Sequence, residues 1–155
     1  MFQHFLVDTN IVSTLTYYKL GLIIDPENEK IAQWYDLQVK DATTVLNFAI
    51  VAELKRWVQS RKDKGFAKSL NRELTNLLDT AYIIHSNEKT MTSWARITHE
   101  AAMRGKFQIK NSASSQINDF WIAATAYAYN LTILTNDKGF GWMPELGIKI
   151  LTCPD

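Results

Sequence analysis

The sequence predicts an α/β domain in which a short, mostly parallel sheet is flanked by helices on both faces. Three observations carry that expectation. Short apolar runs suited to buried strands recur along the chain. Stretches with apolar residues at helical spacing separate them. No linker, internal repeat or low-complexity segment interrupts the 155 residues, so residues 1–155 read as one domain. Strands that alternate with helices pair in parallel and are covered on both sides. At 46% hydrophobic and 12% aromatic, the chain has material for a core, and its 21% charged residues are mixed in sign. That balance disfavours disordered and fibrous classes.

FLV before Asp8 reads as the first strand, and IVSTLTYYKLGL as a helix with Thr9 or Asn10 as its cap. DPENEK turns the chain, and Pro26 opens a second helix in which Ile31, Trp34 and Tyr35 share a face. TTVLNF is the second strand. It leads into AIVAELKRWVQSRK, where Ile50, Leu54, Trp57 and Val58 form a stripe that Gly65 is expected to end. FAKSLNRELTNLLD places Phe66, Leu70, Leu74, Leu77 and Leu78 on one face. AYIIHS reads as a third strand and EKTMTSWARITHEAAMRG as a helix ending at Gly105. After the polar loop KFQIKNSASSQ comes INDFWIAATAYAYN, apolar nearly all round and hence expected to be buried on most sides. LTILT and GIKIL are the fourth and fifth strands.

A formal net charge of +1 gives no whole-molecule attraction to nucleic acid or anionic membrane, so nucleic-acid binding would need a local patch. The single cysteine, Cys153, cannot form an internal disulfide. No leader-like segment follows Met1, and no apolar run approaches the roughly 18 residues that span a bilayer. The expected setting is the cytoplasm, without membrane attachment.

Four acids occupy comparable places. Asp8 stands at the carboxyl end of the first strand, where parallel sheets bind ligands. Glu53 lies in the first turns of the helix after the second strand, bordering its apolar stripe beside Ile50 and Trp57. Asp119 is expected in the first turn of the buried helix, and Asp137 follows the fourth strand in LTILTND. Taken singly, each has an ordinary structural reading: turn residue, partner for Arg56, helix-start acid favoured by the dipole, and turn former before Gly139. Together they need a cation, because two unit charges about 4 Å apart repel by roughly 4 kcal/mol at an effective dielectric near 20. Oxygen ligands without histidine or cysteine suit Mg²⁺ or Mn²⁺. Such a centre activates water and stabilises the charge that builds on a phosphate under in-line attack.

At these residues the chain resembles the PIN-domain nucleases, especially the toxin ribonucleases of VapBC-type toxin–antitoxin systems. VDTN, AELKRW, NDFWIAATA and LTND with the following GF are similar to the family's motifs, in order, across nearly the whole chain. The resemblance implies a PIN-like three-layer fold and a Mg²⁺- or Mn²⁺-dependent endoribonuclease. It implies Asp8, Glu53, Asp119 and Asp137 as the acidic quartet, with Asp8 and Asp119 as direct metal ligands. It implies supporting roles for Thr9, Asn10 and Thr135, an RNA substrate, an antitoxin partner and a homodimer whose two sites share one groove. Surplus apolar surface for the partner is expected on Leu15, Tyr18, Leu20 and Leu22.

Beyond the quartet, KRWVQSRKDKGFAK is strongly basic. It reads either as a solvated face or as a grip on RNA phosphates through Arg61, Lys62 and Lys64. Arg104, Lys106 and Lys110 form a second candidate. His4, His85 and His99 show no ligand spacing and read as structural, and Trp57, Trp94 and Trp121 read as core and interface rather than as a base-stacking platform. Two other functions stay open: a fold relative that binds or processes RNA without a toxin role, and an Asp-dependent phosphohydrolase or receiver. The phosphohydrolase reading lacks a second acid where Asn10 stands. A dinucleotide enzyme is disfavoured because no glycine-rich turn follows the first strand.

Overall fold

The structure, a computed structural model, describes residues 3–108 and 114–154, with side chains in the last long helix described from Gln116 onward. Lys110 and residues 109–113 of the polar loop lie outside the described residues. The elements run β1 (His4–Val7), α1 (Thr9–Lys19), α2 (Pro26–Lys40), β2 (Thr43–Asn47), α3 (Phe48–Gln59), α4 (Lys64–Thr80), β3 (Tyr82–Ile84), α5 (Glu88–Met103), α6 (Ser114–Tyr129), β4 (Thr132–Leu134) and β5 (Lys149–Leu151). Two 3₁₀ turns, Lys138–Phe140 and Met143–Leu146, fill the last connection. The strands lie in the order β3-β2-β1-β4-β5, and every neighbouring pair is parallel. This is the expected α/β architecture, with a sheet that is parallel throughout the described residues.

Right-handed crossovers put α1–α4 on one face of such a sheet and α5 and α6 on the other. The side chains agree. Val7 and Thr44 line one cavity with Val12, Leu15, Val39 and Leu77 from the first set, whereas Val45 and Ile84 line another with Tyr129 of α6. The strands are buried on both sides, and Phe5, Leu6, Val7, Leu46, Ile133 and Leu134 are nearly or wholly inaccessible. In α6, Phe120 and the run Ile122–Ala126 are likewise buried, as its all-round apolar pattern predicts. Phe120 packs at 4.6 Å from Phe107.

Local chemistry corrects several expected boundaries. Asp8, not Thr9 or Asn10, caps α1, because β1 runs directly into the helix and its terminal carboxylate accepts from Thr9 N. The helix after β2 ends at Gln59, and Asp63 caps α4 by accepting from Phe66 N, so Gly65 lies inside α4 rather than breaking its predecessor. Gly105, at φ +68°, follows α5 in the left-handed conformation that ends helices. Of the four residues expected to carry surplus apolar surface, Leu15 is buried and Leu20 packs against the core, while Leu22 is 48% exposed. His4, His85 and His99 are all exposed. No helix among the described residues is long and apolar enough to cross a membrane.

Candidate active site

The strand order reverses between β1 and β4, because the chain leaves β1 toward β2 and leaves β4 toward β5. A crevice opens at such a switch point beyond the carboxyl ends of the strands. Asp8 follows β1 there, and Thr135, Asn136 and Asp137 follow β4. Backbone bonds close the floor: Asp8 N donates to the Leu134 carbonyl at 3.0 Å and Thr135 N to the Leu151 carbonyl at 3.2 Å. Asp8, Glu53, Asp119 and Asp137 all line one cleft of about 510 Å³, together with Thr9, Asn10, Arg56, Trp57, Ser60 and Arg61.

Each acid is held differently. Asp8 is 5% exposed, and both its oxygens are engaged: Oδ1 accepts from Thr9 N at 2.7 Å and Oδ2 from the Thr135 hydroxyl at 2.7 Å. The Thr135 hydroxyl in turn accepts from Asp137 N at 3.0 Å. Asp137 caps the first 3₁₀ turn through Gly139 N at 2.7 Å. A Cβ at residue 139 would stand 3.1 Å from that carboxylate oxygen, so glycine permits the approach. Glu53 is clamped at both oxygens, by the Thr9 hydroxyl at 2.5 Å and by Asn118 Nδ2 at 2.8 Å. It forms no ion pair with Arg56; the salt bridges among the described residues lie elsewhere. Asn10 Oδ1 accepts from Asn136 N at 3.4 Å and ties α1 to the turn after β4.

Asp119 differs from the other three. Because α6 begins at Ser114, Asp119 stands in the second turn, not the first as expected. A favourable helix dipole, which fades beyond the first turn, therefore does not account for it. Its half-buried carboxylate accepts no hydrogen bond from the described residues. Burial first, then the charges of Asp8, Asp137 and Glu53, push its pKa up to about 7. Burial likewise raises Asp8 to about 6 against the opposing pull of its bonds to Thr135 and Thr9, with Glu53 and Asp137 adding to the rise.

These features fit a divalent cation. An unpartnered, half-buried carboxylate repelled by three neighbours is the group that gains most from one. Among the described residues no three acid, histidine or cysteine side chains are arranged to hold an ion jointly. One or two carboxylates with water in the remaining positions is the coordination that Mg²⁺ accepts. Asp119, with no hydrogen-bond donor among the described residues, would be open to such an ion, and Asp8 retains lone pairs beyond the two it has engaged.

Sequence reasoning left out Asn118 and Ser60 as members of the site, and placed Arg56 only within the basic run and Trp57 among core or interface residues. Asn118 is adjacent to Asp119 in NDFW, and residues 56, 57 and 60 share the helical face of Glu53. Of the three basic candidates, Arg61 lines the cleft, whereas Lys62, in the turn beyond it, and Lys64, at the start of α4, stand exposed outside it. Arg104 pairs with Glu145 at 3.4 Å instead. Tyr35, fully buried, braces the site from behind: its hydroxyl donates to the Thr135 carbonyl at 2.8 Å and accepts from Cys153 N at 3.1 Å.

Residues 5–145 match the PIN domain. The chain belongs to the PIN domain family. PIN domain nucleases are hydrolases that act on nucleic acids. This PIN domain is similar in structure to FitAcB from Neisseria gonorrhoeae, with a TM-score of 0.74 and 25% identity over 96% of each chain. VapBC2 from Rickettsia felis, solved with a fragment of its promoter DNA, gives 0.69 at 22% identity, covering 97% of this chain and 98% of that one. VapBC-5 from Mycobacterium tuberculosis, a member of the VapBC family of toxin–antitoxin systems, gives 0.67 at 19%, with the same coverage. No curated protein matches the sequence.

Proposed function

We propose that this PIN domain is a metal-dependent endoribonuclease and the toxin of a type II toxin–antitoxin pair. One observation carries the catalytic reading: four carboxylates from four separate stretches of chain line one cleft, and Asp119 has no hydrogen-bond partner among the described residues. Asp119 and Asp8 are the residues to hold Mg²⁺ or Mn²⁺. Such an ion, when bound, supplies charge neutralisation for the phosphate and lowers the pKa of a water. The chain's own groups do the rest. Thr135 and Thr9 N fix the rotamer of Asp8, and Thr9 and Asn118 fix Glu53. Glu53 and Asp137 present acceptor lone pairs to the cleft and orient the attacking water by hydrogen bonds. Hydrolysis forms one P–O bond from that water and breaks the P–O bond to the leaving ribose oxygen.

An antitoxin partner is supported by structural neighbours such as VapBC-5, a member of the VapBC family of toxin–antitoxin systems, while RNA as substrate and a homodimer rest on the resemblance to the toxin ribonucleases. A free nuclease of this kind would harm its cell, so a partner that covers the carboxylates is chemically sensible. The test is cleavage of RNA by the purified chain with Mg²⁺, with Mn²⁺ and with EDTA. Wild type should cut only with metal, and Asp8→Asn should cut on the order of 10³-fold more slowly. An Asp8→Asn preparation as active as wild type would refute the assignment.

A further inference from the structure

The acid quartet leaves one wall of the cleft unused. Arg56, Trp57, Ser60 and Arg61 form it: the first two on α3, Ser60 at its C-cap and Arg61 just past its end. Residues three and four apart on a helix lie above one another, so Glu53, Arg56 with Trp57, and the capping Ser60 make one stripe, and Arg61 extends the wall beyond it. At 1.5 Å per residue the helical part runs about 10 Å from Glu53 along the axis.

Three properties of this wall point to one ligand chemistry. First, the two guanidinium groups border four carboxylates, yet neither forms an ion pair with any described residue. Their charge is available to an incoming anion. Second, Arg61 is oriented rather than loose. Its Nε donates to the Trp57 carbonyl and a terminal nitrogen to the Ser60 hydroxyl, each at 3.3 Å, which leaves its other N–H groups unspent. Third, an indole lines the same wall as the two cations. Trp57 is half-buried and anchored edge-to-face on Tyr17, with centroids 5.5 Å apart at 83°, and Tyr17 stacks on Phe66 at 6.1 Å. The indole is thus rigidly seated while it lines the cleft.

Anions spaced along a chain that also carries flat rings describe a nucleic-acid strand with unpaired bases. A duplex keeps its bases stacked on one another and offers the indole nothing. We propose that this wall is a subsite for the nucleotides flanking the scissile phosphate: Arg56 and Arg61 hold backbone phosphates and Trp57 stacks a base. The proposal rests on the nuclease reading for its location beside the reacting phosphate. An acidic protein segment would use the arginines but not the indole.

The test is fluorescence anisotropy with the full-length chain in EDTA, using a mixed-sequence single-stranded RNA 12-mer, its duplex, and the same strand with abasic sites. The double variant Arg56→Gln, Arg61→Gln changes only partly or fully exposed side chains. It should flatten the slope of log affinity against log salt by about 1.4, which is two phosphate contacts at about 0.7 each. Trp57→Ala should weaken single-strand binding by about 5- to 150-fold, the range for one lost stacking contact, and leave abasic and duplex binding unchanged. Trp57→Phe should recover most of the loss. An unchanged salt slope in the arginine variant overturns the subsite, as does a Trp57→Ala loss equal on the abasic strand. If wild type cleaves RNA while these variants bind as it does, only the subsite is wrong. If wild type neither binds nor cleaves RNA, the nuclease reading has failed as well.

Discussion

Asp119→Asn is expected to abolish cleavage while making the metal-free protein more stable at pH 8. The two effects share a cause. Asp119 is the one acid of the quartet with no hydrogen-bond donor among the described residues, and its pKa is pushed up to about 7 by burial and by Asp8, Asp137 and Glu53. In the folded state it therefore binds a proton that the unfolded chain, with a carboxyl near 3.8, has released. Stability follows the difference in bound protons. It is unaffected below about pH 4, falls as pH rises toward 7, and stays depressed above. Asp8, raised to about 6, adds a second fall in the same direction, worth about 3 kcal/mol. Asparagine at residue 119 removes the charge. For a partly exposed site, solvent screening reduces the gain to roughly 1 kcal/mol, or about 2–4 °C in Tm. Melts in EDTA at pH 5 and pH 8 should show the variant's advantage only at the higher pH. Single-turnover cleavage at saturating metal should fall on the order of 10³-fold. A residue serving only the fold would lose stability on substitution, so the opposite signs of the two effects are diagnostic.

Asn47→Ala should cost about 3 kcal/mol. Asn47 is fully buried where β2 meets α3, and each end of its amide is used. Oδ1 caps α3 by accepting from Ile50 N at 2.9 Å, while Nδ2 donates to the Trp121 carbonyl at 3.2 Å and the Thr125 hydroxyl at 2.9 Å. Alanine removes a cap worth roughly 1 kcal/mol and takes the donor from the buried Thr125 hydroxyl, and one of two side-chain donors from the Trp121 carbonyl, at roughly 1–3 kcal/mol. Urea denaturation should show a lowered midpoint with an unchanged slope, and Tm should drop by about 6–12 °C. The same bonds fix α6, which carries Asn118 and Asp119, against the helix that carries Glu53. Cleavage should therefore weaken at temperatures where the variant is still folded.

The strands, the helices and the four acids were legible because they are written in local pattern. A parallel sheet buries both faces, so its strands appear as short apolar runs; α6 is buried all round, so its sequence is apolar all round. Placement of acids at strand ends follows from that alone. Boundaries were less legible where a polar residue had two uses. Asp8 reads as a strand-end acid and serves as the α1 cap as well, which displaced the expected cap to Thr9 or Asn10. Asp119 appeared to begin a helix because INDFW begins the apolar pattern, yet the helix starts five residues earlier at Ser114. The bonds that hold the site were not legible at all. Thr9 with Glu53 spans 44 residues, Asn118 with Glu53 spans 65, and Thr135 with Asp8 spans 127. Only the fold brings such partners together. The wall of Arg56, Trp57 and Arg61 was hidden differently. Its basic run reads as a solvated face or a grip on RNA phosphates and its tryptophan as core or interface rather than a base-stacking platform, and only the fold sets both beside Glu53.

The central claim is that this pocket of like charges is built to receive a divalent cation. Anomalous diffraction from a crystal soaked in Mn²⁺ tests it most directly. A peak within coordination distance of Asp119, shared with or bridged by water to Asp8, is the expected result. A crystal with the cleft open to solvent and no peak there, or with manganese bound only elsewhere on the surface, would contradict it.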